Sequence, residues 1–85
     1  MMLTIYDVAT HGARKKVERV LRQMNFVFLF GNARWTSRPV DVAALTRRLR
    51  STLRGQAFRI LIIQVPARSA AHARWLHGSI TRRLQ

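Results

Sequence analysis

Cysteine is absent from this 85-residue chain, and acids are scarce, with three Asp and Glu against sixteen Lys and Arg. The missing cysteines exclude disulfides, thiolate metal sites and a cysteine nucleophile. With three carboxylates in all, an acid–base pair within one subunit is nearly excluded. The longest apolar run, Phe26–Phe30, has five residues, whereas a helix needs roughly 18 to span a bilayer. We therefore expect no membrane-spanning segment.

The amino terminus has no secretory character. No basic region precedes an apolar stretch, and Asp7 follows within the first seven residues. Secretory signals combine a basic start with an apolar core. The sequence therefore predicts a cytoplasmic protein.

The overall balance of the sequence indicates one folded, strongly basic domain. Its apolar share of 48% is too high for a disordered basic tail,. The net charge is +13, and packing it into one small domain costs self-repulsion,. Fourteen of the sixteen cations are Arg, whose planar group binds phosphate through two parallel hydrogen bonds. Nucleic acid is the expected partner, ahead of an anionic membrane surface.

The first half of the chain predicts a strand, a helix and a hairpin. Residues 3–8 read as a strand, and Thr10 suits the N-cap of an amphipathic helix that stops at Asn25,. Phe26–Phe30 is apolar at every position, which is typical of a strand buried on both faces. A Gly-Asn turn then leads to a short strand over 33–36.

The second half predicts a helix, a strand and a further helix. Asp41 marks the start of the helix and Gly55 its end,. Ala57–Val65 is apolar on both faces apart from two polar residues,. Pro66 ends this strand, and Ser69 suits the cap of a final helix.

The element order predicts an α+β fold, a ferredoxin-like βαββαβ sandwich over residues 1–66. Residues 67–85 are expected to form a basic C-terminal helical extension. Two helices cover one face of such a sheet, yet the second and fourth strands are apolar on both sides. A second subunit or the C-terminal helix must cover the other face. We expect a homodimer formed through the sheet.

Cations are concentrated on the first predicted helix. Three of them occupy its first turn, where free amide groups and the helix dipole favour phosphate. A merely solvated charged face usually mixes acids with bases, and Glu18 is the one acid here, spaced for a surface ion pair with Arg14 or Arg22. The sequence predicts a nucleic-acid-binding surface made of Arg14, Lys15, Lys16, Arg19 and Arg22.

Asp7 lies at the carboxyl end of the first strand and supports two interpretations. In the structural one it caps the following turn or pairs with Arg14. In the functional one it is catalytic, because one Asp7 from each subunit of a dimer could hold a divalent cation such as Mg²⁺ and activate water or phosphate. The three histidines have no recognisable metal-site spacing.

The strand end Tyr6-Asp7-Val8, followed by Arg14, Lys15 and Val17, resembles the CRISPR-associated Cas-two family. Similarity of architecture extends this resemblance over roughly residues 2 to 65. The family is the small subunit of the spacer-acquisition complex in antiviral defence.

The resemblance implies a homodimer that bridges two dimers of the Cas-one integrase and supports double-stranded prespacer DNA. It places Arg14, Lys15 and Lys16 where family members contact the DNA backbone. It also places Asp7 on a strand-end Asp linked to metal-dependent nuclease activity in some members. A DNA-binding adaptor is the function that we expect first.

Two alternatives remain open on the sequence. One is a metal-dependent nuclease that resembles active Cas-two members or VapD-type toxin ribonucleases and depends on Asp7. The other is an RNA-binding domain of ribosomal or RRM type, which would stack bases on sheet aromatics. Tyr6, Phe28 and Trp35 are the candidates for that role.

Overall fold

The computed structural model describes residues 1–72 of the chain. The elements follow the predicted order, and each boundary lies close to the predicted one. They are β1 (Met2–Val8), α1 (His11–Gln23), β2 (Val27–Phe30), β3 (Ala33–Thr36), α2 (Val42–Thr52), β4 (Phe58–Gln64) and the short α3 (Ala67–Ala70). The α+β fold with a βαββαβ core is thereby confirmed.

The four strands form one antiparallel sheet in the order β2-β3-β1-β4. Leu3 on β1 lies opposite Trp35 on one side and Ile63 on the other. Because side chains alternate along a strand, Met2, Thr4 and Tyr6 share the opposite face, and all three are buried. Helices α1 and α2 cover that face. The core joins the strands to the helices through Met2, Tyr6, Ala13, Val17, Val20, Leu21, Phe26, Leu45, Leu49 and Leu53.

The helix ends confirm the capping residues predicted from the sequence. The Thr10 hydroxyl accepts a hydrogen bond from the Ala13 amide at 3.0 Å, and the Asp41 carboxylate accepts one from the Ala44 amide at 3.1 Å. At the far end of α1, Asn25 takes a left-handed φ of 69°, which a short polar side chain tolerates. These contacts fix where each helix starts and where the chain turns back toward the sheet.

A Schellman motif ends α1. The amide of Phe26 donates to the carbonyl of Leu21 at 2.9 Å, and the amide of Asn25 donates to that of Arg22 at 3.0 Å,. Phe26 and Leu21 both belong to the core. The turn therefore leads directly into β2, and Phe26, the residue before this strand, packs in the core.

The prediction that β2 is buried on both faces is wrong for the described chain, and β4, predicted to be apolar on both faces, is also partly exposed. Both are edge strands, and side chains on them remain accessible: Phe28 is 59% exposed and Leu61 is 56% exposed. An unbroken apolar run does not distinguish an edge strand from a central one. The face away from α1 and α2 presents exposed apolar side chains on three strands, namely Ile5, Val27 and Leu61.

The predicted final helix differs in its start. The described helix α3 begins at Ala67 after Pro66, so that Ser69 lies within it and not at its cap. The later positions predicted for that helix, and with them most of the predicted 67–85 extension, lie outside the described residues.

Candidate nucleic-acid interface

Helix α1 separates its apolar and basic residues cleanly. Val17, Val20 and Leu21 face the core and are at most 5% exposed. The five cations predicted to bind nucleic acid are all exposed, namely Arg14, Lys15, Lys16, Arg19 and Arg22. The same amphipathic pattern that anchors the helix thus determines which of its residues reach solvent.

The spacing of these cations suits a row of phosphates. Arg14 and Arg22 are eight positions apart, which is about 12 Å along a helix axis. That length matches the rise of three to four nucleotides along one duplex strand, at about 3.4 Å each. The first turn of α1 contains no acidic residue, so its amide groups add to the positive potential.

One acid lies among these cations. The Glu18 Oε2 atom is 3.8 Å from the Arg14 Nε atom, which confirms the predicted ion pair. Within residues 1–72, Lys15, Lys16 and Arg19 take part in no ion pair. Their full charge is therefore available to a polyanion.

The basic surface continues from α1 onto α2 and past the end of β3. The Arg48 guanidinium donates to the Gln23 side chain, which joins the two helices. A groove of about 500 Å³ at the end of α1 is lined by both Arg22 and Arg38. Helix α2 adds the exposed cations Arg47, Arg48 and Arg50, and the exposed Arg54 follows its C-cap Leu53.

A polar cluster that the sequence did not reveal lies beneath this surface. The Tyr6 hydroxyl donates to Glu18 Oε2 at 2.8 Å. Burial raises the pKa of Tyr6, the bond to Glu18 raises it further, and the nearby Arg34 guanidinium partly offsets the shift,. On its other side, Arg34 places its Cζ atom 5.8 Å from the centre of the Phe28 ring. These contacts depend on how α1 packs on β1 and on the register between β2 and β3, neither of which the sequence pattern alone gave.

Asp7 lies on the other face of the sheet, in line with Leu3 and Ile5. Register places it opposite Arg59, and the Arg59 Nη2 atom donates to Asp7 Oδ2 at 2.6 Å. The structure thus pairs Asp7 with Arg59, whereas Arg14 pairs with Glu18. The side chains of Asp7 and Arg59 are both well exposed.

Metal binding at Asp7 would need ligands from elsewhere. Over the part of the chain that the structure describes, three or more potential metal-ligating side chains are nowhere grouped together. A hard divalent cation prefers several oxygen ligands. A second subunit would supply the next carboxylate, and the cation would have to displace Arg59.

The aromatics proposed for base stacking on the sheet are divided between its two faces. Tyr6 is 1% exposed and packs under the helices. Phe28 lies opposite Arg34, which in turn lies opposite buried Thr4, so Phe28 belongs to the helix side. Of the three, Trp35 alone shares the open face with Leu3. An RRM-type platform across the central strands therefore lacks most of its aromatics.

Comparison with protein-family models and with curated proteins finds no match for this chain. Among residues 1–72, every helix is too short or too polar to cross a bilayer.

Proposed function

We propose that this protein is a dimeric, DNA-binding adaptor that holds prespacer duplex DNA during CRISPR spacer acquisition. The observation that carries the proposal is the exposed row of five cations on α1, among which Glu18 is the single acid. Chemistry on a small substrate has little support, because the described titratable groups do not converge on an enclosed cavity. The cations instead form a broad surface over the helix layer.

Binding through this surface depends on phosphate and not on base sequence. Guanidinium and ammonium groups neutralise backbone phosphates and release condensed counterions. Such contacts fix the position of the duplex without reading its bases. An adaptor for prespacers of many sequences needs this kind of recognition.

Dimerisation through the open sheet face would complete the adaptor. Side chains of that face remain accessible in the single chain, with Ile5 42% and Val27 51% exposed. Burying two such faces together would leave both α1 surfaces on the outside and double the net charge of +13. The resulting surface is long and basic, which suits a duplex that crosses both subunits.

The partner in this proposal is the Cas-one integrase, and the resemblance of the sequence to the Cas-two family supports it. A two-fold adaptor has two equivalent ends, each able to receive one integrase dimer. Co-elution of the purified chain with a Cas-one integrase in the presence of duplex DNA tests this part. Separate elution of the two proteins with DNA present would argue against the bridging role.

The DNA-binding role is tested by measuring duplex affinity as a function of salt. Each phosphate contact should steepen the log-log slope by about 0.9. The triple variant Lys15→Ala, Lys16→Ala, Arg19→Ala should therefore flatten the slope by about 2.7, which is three contacts at that value. The assay uses one blunt duplex of fixed length throughout.

A matched control removes the same charge from α2 and the turn that follows it. The triple variant Arg47→Ala, Arg50→Ala, Arg54→Ala should flatten the slope less, because the proposal places the duplex on α1. If the two triple variants flattened the slope equally, α1 would contribute only through the overall positive charge and would not be the specific binding surface. An affinity that does not change with salt would rule out phosphate binding altogether.

A metal-dependent nuclease is the second candidate, favoured by the exposed carboxylate of Asp7 at the end of β1. In a sheet-to-sheet dimer, two Asp7 side chains would share one face and could hold Mg²⁺ between them. Asp7→Ala should then abolish Mg²⁺-dependent cleavage of RNA or DNA and leave duplex binding unchanged. Cleavage that survives this substitution would remove Asp7 from any catalytic role.

A further inference from the structure

Phe28 is an aromatic side chain held at the sheet edge beside the basic helix surface. It is 59% exposed on β2, an edge strand. Its register with Arg34 places it on the side of the sheet that α1 covers. The ring therefore borders the surface proposed for DNA and lies away from the face proposed for dimerisation.

The ring is held by a guanidinium and is not part of the hydrophobic core. The Arg34 Cζ atom lies 5.8 Å from the ring centre, within the range of a cation–π contact. The Nε atom of Arg34 is buried and makes no hydrogen bond among the described residues. Arg34 thus contacts both Phe28 and the buried Tyr6, while more than half of the Phe28 surface remains accessible.

A continuous set of contacts connects this ring to the cations of α1. Arg34 lies near the Tyr6 hydroxyl, which donates to Glu18 at 2.8 Å. Glu18 in turn pairs with Arg14 at 3.8 Å. Phe28 is therefore linked to Arg14, the first cation of the α1 row, through Arg34, Tyr6 and Glu18.

An exposed aromatic ring beside a row of phosphate-binding cations is the arrangement that binds unpaired bases. Cations follow the backbone, and the π-face of the ring stacks a base regardless of its sequence. Bases inside a duplex are already stacked on their neighbours and cannot reach such a ring. An unpaired base next to the end of a duplex is free to stack on it.

We propose that Phe28, positioned by Arg34, stacks the first unpaired base beside a duplex held on α1. The site would make the protein prefer DNA with frayed or single-stranded ends over blunt DNA. This inference rests on the proposed duplex binding and names the DNA end that the same surface selects. Phe28 contacts the base, and Arg34 is a positioning residue.

The test compares the affinity of the full chain for a blunt duplex with that for a duplex of equal length carrying unpaired ends. Base–aromatic stacking of this kind corresponds to an affinity gain of about 5-fold or more. The wild-type protein should show that preference, and Phe28→Ala should abolish it without changing affinity for the blunt duplex. Phe28→Trp should retain it.

Phe30→Ala is the matched control. Phe30 lies on the same strand and is 56% exposed, but it pairs with Ala33 and lies nearer the turn. Its substitution should leave the ratio of the two affinities unchanged. A fluorescent adenine analogue at the first unpaired position adds a direct reading of stacking, since its emission should fall on binding to wild type and not to Phe28→Ala.

The outcomes separate the two proposals. Salt-dependent duplex binding without any preference for unpaired ends would overturn the stacking site and leave the adaptor role intact. A preference that persists in Phe28→Ala would also overturn it. Failure of both DNAs to bind would overturn the proposed function itself, and the stacking site with it.

Discussion

At the scale of single residues, Tyr6 gives the most direct test of the packing beneath α1. Its burial and its hydrogen bond to Glu18 both favour the neutral phenol, so the pKa of Tyr6 is raised above the ordinary 10.0. Because Tyr6 is the single tyrosine of the chain, the ultraviolet absorbance of tyrosinate reports on it alone. We expect its titration midpoint above pH 10 in the folded protein and near 10 in denaturant.

The same shift has a defined effect on stability. A raised pKa in the folded state gives stability that is fully present below pH 10 and is lost as pH rises through the folded value,. Between the two values the free energy of unfolding should fall by about 1.4 kcal/mol per pH unit. Tyr6→Phe should lack this component, and the difference between the two proteins in denaturant titrations isolates it. Identical alkaline profiles of the two proteins would contradict the buried Tyr6 contact.

Residue types and helical spacing predicted some of these contacts and not others. The Glu18–Arg14 pair followed from a separation of four positions on one helix. The Tyr6–Glu18 contact depends on how α1 packs on β1, and the Asp7–Arg59 pair depends on the register between β1 and β4. Asp7 therefore received the wrong partner in the structural interpretation, although its position at the strand end was correct.

At the scale of elements, the hydroxyl of Thr10 determines where α1 begins. It satisfies the Ala13 amide at 3.0 Å, one of the four amides that a helix start leaves without a partner. Thr10→Ala should lower the free energy of unfolding by about 0.5–2 kcal/mol. The loss should appear in urea denaturation as a lower midpoint at an unchanged slope.

Thr10→Ser provides the control for that prediction. Serine keeps the hydroxyl acceptor and loses only a methyl group from an exposed position. Its stability should remain close to that of the wild type. If Thr10→Ser and Thr10→Ala were equally stable, the cap would contribute nothing beyond local packing.

Element type and order were predictable because the signals are local. Periodicity, caps and the Gly-Asn turn each act over a few residues, and Gly31 does adopt a positive φ of 47° in that turn. The burial of β2 and β4 was not predictable in the same way. Their apolar residues on the open face predict a surface that another subunit covers. A single chain shows that surface uncovered.

At the scale of the whole molecule, the two faces of the sandwich have opposite chemistry. The helix layer exposes eight cations, five on α1 and three on α2. The open sheet face carries cross-strand rows of apolar residues, with Ile5 opposite both Ala33 and Leu61. A monomeric protein rarely leaves a large contiguous apolar patch exposed, so this division of charge and hydrophobicity favours assembly through the sheet.

The full chain should therefore have about twice its monomer mass of 9.9 kDa in light scattering,. Leu61 is 56% exposed on the open face, and Leu61→Lys should give the monomer mass, because a buried lysine charge opposes the interface. Val42 is 38% exposed on α2, and Val42→Lys adds the same charge on the helix layer and should leave the dimer intact. A wild-type chain that remains monomeric at high concentration would contradict the proposed interface, and the two α1 surfaces would then have to hold DNA separately.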